Sequence, residues 1–344
     1  MERTIHPQYR GKQSICFENP VYIEGYASIV GSKESQGPLG KYFDITSKDD
    51  KFGQQTWEEA ESFMQKKALE MAAQKAKISV EDIRMIFSGD LLAQSMASSF
   101  GIGELKRPMY GLFGACSTMG ESLSLAAMTV AAGYGEYVAA VTSSHFATAE
   151  KEFRFPLAYG NQRPLSATWT VTGSGGCIVG NHKSTIQITG ITTGKIMDYG
   201  LKDSQNMGAC MAPAAFDTIY QNLEDFGRSP KDYDKIITGD LGLVGQQILI
   251  DLMNQKEMDL SAVHEDCGIW IYDGNQQNTH AGGSGCGCSA TVLMAYIFPK
   301  IASGEWKRVL FIPTGALMSK VSFYEGNSVP GIAQAVVLEY AGEV

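Results

Sequence analysis

One cysteine occupies a position where a nucleophile could form. Cys116 follows a Phe-Gly-Ala run and precedes Ser117 and a series of small residues whose pattern predicts a helix. At a helix N-terminus, the helix dipole and unpaired N–H groups favour the thiolate. This position predicts a nucleophile if the chain also supplies a base and an oxyanion partner. The alternative is a buried structural cysteine, because free cysteine is among the most buried residue types.

A second glycine-rich segment, residues 280–289, precedes another predicted helix. It contains Ser284, Cys286 and Cys288. The two cysteines are one residue apart, which is too close for the Cys-x-x-Cys pair of a zinc site and argues against a bound metal. Its glycines allow close backbone approach. The N–H groups of the helix end predict an anion site with Ser284 and Cys286 at its wall.

Residues 143–163 combine positive charge with aromatic side chains, just after an apolar strand-like run. The potential cations are His145, Lys151, Arg154 and Arg163. Ligands of α/β proteins collect beyond the carboxyl ends of strands, and arginine binds carboxylates with two hydrogen bonds. We therefore expect His145, Arg154, Tyr159 and Arg163 to contact an acidic ligand. The alternative is an exposed loop whose cations pair with neighbouring glutamates.

Two groups of the second half could act on Cys116. His264 is a candidate base or ligand contact, although a lone histidine in a loop often has neither role and geometry must decide. Asp240 follows a predicted strand, as Asp90 does in the first half. Each aspartate can cap the helix that follows it, and for Asp90 we prefer that interpretation.

The chain repeats its own pattern, which indicates how these residues are positioned. Residues 79–91 reappear without a gap as residues 229–241. Three further pairs follow the same order, namely 33–36 with 202–205, 133–141 with 304–312, and 172–179 with 330–337. Repeats in matching order indicate duplication. We predict two homologous halves, residues 1–182 and 183–344, in which Gly287 corresponds to Cys116.

Strands and helices alternate within each predicted half. The runs 85–87, 138–142 and 309–312 are almost entirely apolar, as expected of strands buried on both faces. After Cys116, apolar residues recur at spacings of three and four, which predicts a helix with a core-facing stripe. This alternation predicts an α/β sandwich with mixed sheets.

Composition excludes several classes of function. A net charge of −9 argues against nucleic-acid binding, which requires a basic surface. Seven cysteines without paired spacing predict reduced thiols and a cytoplasmic location. The N-terminus has no apolar signal core, and no apolar run is long enough to span a bilayer. We therefore expect any membrane association to occur through partner proteins.

A cysteine at such a turn, within two fused α/β halves, resembles the thiolase and 3-oxoacyl-(acyl-carrier-protein) synthase superfamily. The resemblance implies a five-layered αβαβα sandwich in which the nucleophilic cysteine has a histidine and an asparagine as partners. The synthases have His-Gln-Ala-Asn where this chain has residues 239–242, and Gly-Asn where it has Gly283 and Ser284. Cys116 therefore matches the nucleophilic cysteine of the synthases, whereas this chain lacks their histidine and asparagine at the matching positions. This difference argues against a condensation reaction.

Several short sequence motifs point to one family within this superfamily. Phe-Gly-Ala-Cys-Ser-Thr, Thr-Ser-Ser-His, Thr-Gly-Ser-Gly, Asp-Ser-Gln-Asn-Met-Gly and Ala-Gly-Gly-Ser-Gly-Cys resemble the stage V sporulation protein AD family of spore-forming bacteria. The resemblance implies a sporulation protein that binds dipicolinic acid, with calcium present only as part of a chelate, and supports its uptake into the forespore. It also implies a homodimer that lies peripherally at the spore inner membrane through membrane proteins of the same assembly.

The resemblance leaves three functions open. The first is a dipicolinate-binding protein whose pocket includes Cys116, Ser117, Asp240 and Ser284. The second is an acyltransferase that uses Cys116 with an unusual base such as His264 or His145. The third is a structural subunit with a relic pocket. Because this chain lacks the synthase histidine and asparagine, we favour the dipicolinate-binding protein over the acyltransferase. Removing partners from a catalytic unit lowers its rate by orders of magnitude.

Overall fold

The computed structural model describes residues 8–153 and 162–343. The strands of the first half are β1 (Tyr9–Arg10), β2 (Ser14–Cys16), β3 (Tyr22–Val30), β4 (Ile45–Thr46), β5 (Met85–Gly89), β6 (Met109–Leu112), β7 (Tyr137–Ser144), β8 (Trp169–Thr170) and β9 (Gly173–Gly180). Those of the second half are β10 (Ile186–Thr192), β11 (Lys235–Thr238), β12 (His264–Asp266), β13 (Gly283–Ser284), β14 (Arg308–Ile312), β15 (Thr314–Ala316), β16 (Gly331–Ala333) and β17 (Ala335–Tyr340).

Helices separate these strands, so the predicted alternation is confirmed. They are α1 (Ser32–Ser35), α2 (Trp57–Lys75), α3 (Met96–Gly101), α4 (Thr118–Ala131), α5 (Phe146–Phe153), α6 (Met207–Phe226), α7 (Gly242–Asn254), α8 (Cys267–Ile271), α9 (Cys286–Val292), α10 (Phe298–Ala302) and α11 (Lys320–Tyr324). A π-helical turn, Leu293–Ile297, joins α9 to α10. Short 3₁₀ turns at Val80–Asp82 and Pro230–Asp232 precede the corresponding strands β5 and β11.

The main sheet shows the duplication in its strand order, β12-β11-β14-β17-β10-β3-β9-β7-β5-β6. From the central β10–β3 pair outward, each side of the sheet has two antiparallel strand pairings followed by two parallel ones. On both sides the two strands nearest the outer edge pair in parallel, as β5 does with β6 and β11 with β12. β9 and β17 pair antiparallel with both of their neighbours. The two sides of the main sheet, a first-half sheet β3-β9-β7-β5-β6 and a second-half sheet β10-β17-β14-β11-β12, thus repeat one pairing pattern, and the division at residue 182 remains a prediction.

Three hydrophobic clusters define the layers. One packs α2 against the outer face of the first-half sheet and includes Leu69 of α2 and Ile178 of β9. A second packs α6 and α7 against the second-half sheet. The third contains α4 and the α9–α10 region together with residues of both sheets, such as Val138 and Phe311. This order, helix, sheet, helix, sheet, helix, is the predicted αβαβα sandwich.

Local sequence signals fix where the outer helices and turns begin. Thr56 and Glu59 form a capping box at the start of α2, since each side chain bonds the other residue's backbone N–H group. Ser79 and Asp82 cap the turn before β5 in the same way, and Ser229 and Asp232 cap its counterpart before β11. These paired caps explain why residues 79–91 and 229–241 match so closely in sequence.

Candidate functional site

A cavity of about 280 Å³ lies where the loops of the two halves meet. Its apolar wall consists of Leu91, Phe113, Ala115, Ala149, Phe153, Ala167, Met207, Ala316, Leu317 and Met318, and its other lining residues are Cys116, Glu150, Thr168, Thr170, Ser204, Gln205, Ser284, Gly285 and Ser319. Within the described part of the chain, the lining contains no lysine, arginine or histidine. An apolar cavity with a few polar groups is the usual form of a small-molecule site.

Cys116 lines this cavity from a tight turn. The turn Ala115–Ser117 precedes α4, and Ala115 adopts a left-handed backbone conformation with φ of 52°. A non-glycine residue in this conformation is held there by its surroundings. The Ser117 hydroxyl donates to the Gly114 carbonyl at 2.7 Å and the Thr118 hydroxyl donates to the Ala115 carbonyl at 2.6 Å. Ser117 is therefore part of the turn and is absent from the cavity lining.

The Cys116 thiol lies next to the carboxyl group of Asp240. Asp240 accepts hydrogen bonds from the Thr314 hydroxyl at 2.8 Å and from the Gly285 N–H group at 3.0 Å. Burial raises the pKa of Asp240 to about 7. Burial, with the nearby Asp240 charge as a smaller cause, raises the pKa of the Cys116 thiol well above its ordinary value.

These pKa directions correct the first expectation for Cys116. The helix end was expected to favour the thiolate, but desolvation outweighs it because the side chain of Cys116 is only 7% exposed. A carboxyl group beside the sulfur adds repulsion to any thiolate that forms. The pair is thus a neutral thiol beside a carboxyl group, and the residues described around the cavity supply no lysine, arginine or histidine in its lining to activate the thiol.

Asp240 lies directly behind the cavity wall and is itself absent from the lining. Its contact with Gly285 satisfies an N–H group at the start of α9, and the Ser144 hydroxyl accepts from Gly287 at 3.1 Å in the same turn. The helix that follows Asp240 in sequence is capped by another residue, because Asp266 accepts from the N–H groups of Leu241 and Gly242. Asp240 therefore links the two halves of the site.

The structure places His264 in a different environment from the expected loop. It lies in edge strand β12 and is buried, with its ring bonded to the Thr238 hydroxyl at 3.1 Å and the Gln246 amide at 3.2 Å. Burial lowers the pKa of His264 to about 4. It is absent from the cavity lining, so this placement does not favour a role as base for Cys116.

His145 is also buried and absent from the cavity lining. Its Nδ1 accepts from the Ala147 N–H group at 3.1 Å, and its Nε2 lies 2.8 Å from the Asp50 carbonyl. A neutral ring protonated at Nε2 satisfies both contacts. Burial lowers the pKa of His145, in agreement with a neutral ring that orders the start of α5.

The remaining predicted cations have varied environments. Lys151 pairs with Glu58 at 2.7 Å, a more distant glutamate than the neighbours considered from sequence. Arg163 lies over the Trp169 ring and donates to the carbonyl of Thr168, which lines the cavity. Arg163 thus lies behind Thr168, and Thr168 separates it from the cavity. Arg154 and Tyr159 lie outside the described residues.

The second glycine-rich segment divides into lining and supporting residues. Ser284 lines the cavity and pairs with Thr170 through the short strands β13 and β8. Cys286 is fully buried, and its thiol donates to the Ser143 carbonyl at 2.9 Å. Cys286 therefore supports the wall from behind and is absent from the lining. Within the described residues, no cluster of three or more His, Cys, Asp or Glu side chains could hold a metal ion.

Sequence reasoning missed two segments that complete the cavity. Ser204 and Gln205 precede α6 and Met207 begins it, while residues 316–319 run from the last residue of β15 into the segment that follows. The first of these belongs to the Asp-Ser-Gln-Asn-Met-Gly string that contributed to the family resemblance, so a signal for it existed. The second has no polar or charged motif that separates it from ordinary core sequence.

In the described part of the chain, no helix combines the length and apolar character that crossing a membrane would require.

The solved structures to which the chain is similar include condensing enzymes of low sequence identity. A 3-oxoacyl-[acyl-carrier-protein] synthase III from Aquifex aeolicus matches with a TM-score of 0.57 and 15% identity, over 93% of this chain and 100% of that one. A variant of OleA from Xanthomonas campestris matches with a TM-score of 0.59 and 13% identity, over 94% of this chain and 99% of that one. These similarities show a thiolase-like fold.

Two sequence comparisons are much closer. The family model for stage V sporulation protein AD matches residues 11–339. The stage V sporulation protein AD of Bacillus subtilis is 42% identical over 332 residues, which cover 96% of this chain and 98% of that protein. Together with the fold and with Cys116 at the wall of its cavity, they show that the chain belongs to the stage V sporulation protein AD family.

Proposed function

We propose that this protein binds dipicolinic acid in the cavity beside Cys116 and supports its uptake into the developing forespore. The observation that carries the proposal is the combination of an apolar wall with three helix starts around one cavity. Cys116 precedes α4, Gly285 precedes α9, and Met207 begins α6. Helix N-termini attract anions, and an apolar wall suits a flat aromatic ring.

The charge of the lining favours a ligand whose own charge is compensated. Glu150 is the only carboxylic acid in the described lining. A calcium chelate of dipicolinate carries less negative charge than the free dianion, and calcium prefers oxygen ligands. The chelate therefore fits this lining at least as well as free dipicolinate, for which Arg163 behind Thr168 is a source of positive charge close to that wall.

Isothermal titration of the purified protein with dipicolinate, with and without calcium, tests the proposal. Ala149 lines the cavity from α5, whereas Ala147 of the same helix does not. Ala149→Leu should fill part of the cavity and weaken binding at least tenfold, and Ala147→Leu should leave binding unchanged. No heat of binding at millimolar dipicolinate in either condition would refute the proposal.

A second candidate, acyl transfer by Cys116, is favoured by one observation, the presence of its sulfur at the cavity wall. Mass spectrometry after incubation with acyl thioesters tests it. An adduct on Cys116 that forms and then turns over would favour an enzyme. The raised pKa of the thiol and the replacement of the synthase partners by Asp240 and Ser284 predict no such turnover.

The family resemblance also implied a homodimer and membrane-protein partners, and we propose both here. Strand β6 ends the main sheet, and exposed aromatic residues lie near it: Tyr110 is 60% exposed and Phe113 is 58% exposed. An uncovered strand edge with apolar neighbours is suited to pairing with a second copy. A Tyr110→Lys variant should shift the mass measured by light scattering toward the monomer.

A further inference from the structure

Asp240 is separated from the cavity by a single layer of atoms. Its side chain is fully buried, and it contacts the Cys116 thiol and the Gly285 N–H group. Both Cys116 and Gly285 line the cavity. A group bound against these two residues would therefore lie close to the carboxyl group of Asp240, with no bulk water between them.

The surroundings of Asp240 contain no compensating cation among the described residues. The titratable groups that face it are Asp266 from β12, Cys116 before α4, Cys267 of α8, and Cys286 and Cys288 of α9. Among the described residues, the hydrogen bonds that the Asp240 carboxyl group accepts come from two neutral donors, the Thr314 hydroxyl and the Gly285 N–H group. Such a carboxyl group is sensitive to any further negative charge nearby.

We propose that Asp240 takes up a proton when an aromatic dicarboxylate dianion enters the cavity, so that ligand binding is coupled to proton binding. The inference rests on the function proposed above. Two carboxylates in a site of low dielectric cannot both remain ionised at little cost, and a proton on one of them removes the repulsion. The proton comes from solvent and is added to a carboxyl oxygen of Asp240. No covalent bond of the ligand changes.

The hydrogen bonds around Asp240 can accommodate this proton. The Thr314 hydroxyl now donates to Asp240 Oδ1, and it can rotate to accept instead. The Cys116 sulfur is also able to accept a weak hydrogen bond from a protonated carboxyl group. The Gly285 N–H group keeps its acceptor in either state, because it binds the other oxygen, Oδ2. Protonation therefore leaves the wall of the cavity in place.

Calorimetry of dipicolinate binding without calcium, in two buffers of different ionisation enthalpy at the same pH, measures the protons taken up. We expect wild-type protein to take up a fraction of a proton near neutral pH, approaching one proton per ligand at about pH 8. In Asp240→Asn, Oδ1 can accept from Gly285 while Nδ2 donates to Thr314. This variant should show no uptake, and at about pH 8 it should bind roughly tenfold more tightly than wild type.

Glu61→Gln is the matched control, because burial also raises the pKa of the Glu61 carboxyl group, to about 8, and Glu61 is absent from the cavity lining. It should keep the wild-type proton uptake. Binding without proton uptake in the wild type, or unchanged uptake in Asp240→Asn, would overturn the inference and leave the proposed function standing. Absence of dipicolinate binding by the wild type would overturn both. The wild-type measurement decides alone if a variant fails to fold.

Discussion

Asp90 and Asp240 occupy equivalent positions after β5 and β11, yet they bond to different parts of the molecule. Asp90 accepts from the N–H groups of Leu92 and Ser98 within its own half, so it has the helix-capping role expected of it. Asp240 instead contacts Gly285 and Cys116, which belong to opposite halves. One aspartate is thus a local helix cap, and the aspartate at the equivalent position contacts two residues that line the cavity.

The first prediction concerns the reactivity of Cys116. Because burial and Asp240 raise the pKa of its thiol, the thiolate fraction at neutral pH should be very small. Alkylation by iodoacetamide at about pH 7.5, followed by mass spectrometry of peptides, should modify Cys116 far more slowly than the partly exposed Cys16. Preferential modification of Cys116 would show that the thiol is activated and would support the enzymatic alternative.

The second prediction concerns stability and pH. Burial raises the pKa of Glu34 to about 7, of Glu61 to about 8 and of Asp240 to about 7. These groups ionise near pH 4 in the unfolded chain, so the folded state binds more protons above that pH. Their stabilising effect is complete below about pH 4 and is lost as pH rises to about 8.

Thermal unfolding measured between about pH 5 and pH 8 should therefore show a falling Tm. Each group lowers the free energy of unfolding by at most about 1.4 kcal/mol per pH unit. Glu61→Gln should make the decrease shallower, since its amide does not titrate. A Tm that rises steadily from pH 5 to pH 8 would contradict the assignment of these carboxyl groups as protonated in the folded protein.

The third prediction concerns Gly287, the residue that the sequence repeat predicts to correspond to Cys116. A Cβ atom at Gly287 would lie 2.5 Å from the Gly173 carbonyl oxygen and 2.8 Å from the Ser144 backbone nitrogen. Backbone atoms at these distances cannot move away cheaply, so Gly287→Ala should lower the free energy of unfolding by about 2 to 4 kcal/mol. Gly103→Ala is the control, since nothing lies within 4 Å of its Cβ position. Equal effects in urea unfolding would contradict this account.

The fourth prediction concerns Asp240 as a structural link. Asp240→Ala removes the acceptor of the buried Gly285 N–H group and of the Thr314 hydroxyl. Leaving such groups unsatisfied costs about 1 to 3 kcal/mol each, so we expect a loss of stability of a few kcal/mol. Asp240→Asn should lose less, because it can keep both contacts. Urea unfolding of the two variants at the same pH distinguishes these outcomes, and a larger loss in Asp240→Asn would argue against the hydrogen-bond assignment.

Sequence reasoning anticipated the sheet and the position of the cavity better than the side chains around it. The match between residues 79–91 and 229–241 reflects strands and caps that depend on local sequence, so it was visible without coordinates. The positions of the His145 and His264 side chains could not be predicted from the sequence, because the direction of a side chain depends on the packing of distant elements. Likewise, Ala316 and Met318 reach the cavity only through the fold, and no chemical property marks them in the sequence.

The most direct measurement of the central claim is a crystal structure of the protein grown or soaked with dipicolinate. The account predicts the ring against the apolar wall of the cavity and a carboxylate near Cys116, Ser284 and Gly285. Dipicolinate bound at another surface, with this cavity unoccupied at a concentration that saturates binding in solution, would contradict it.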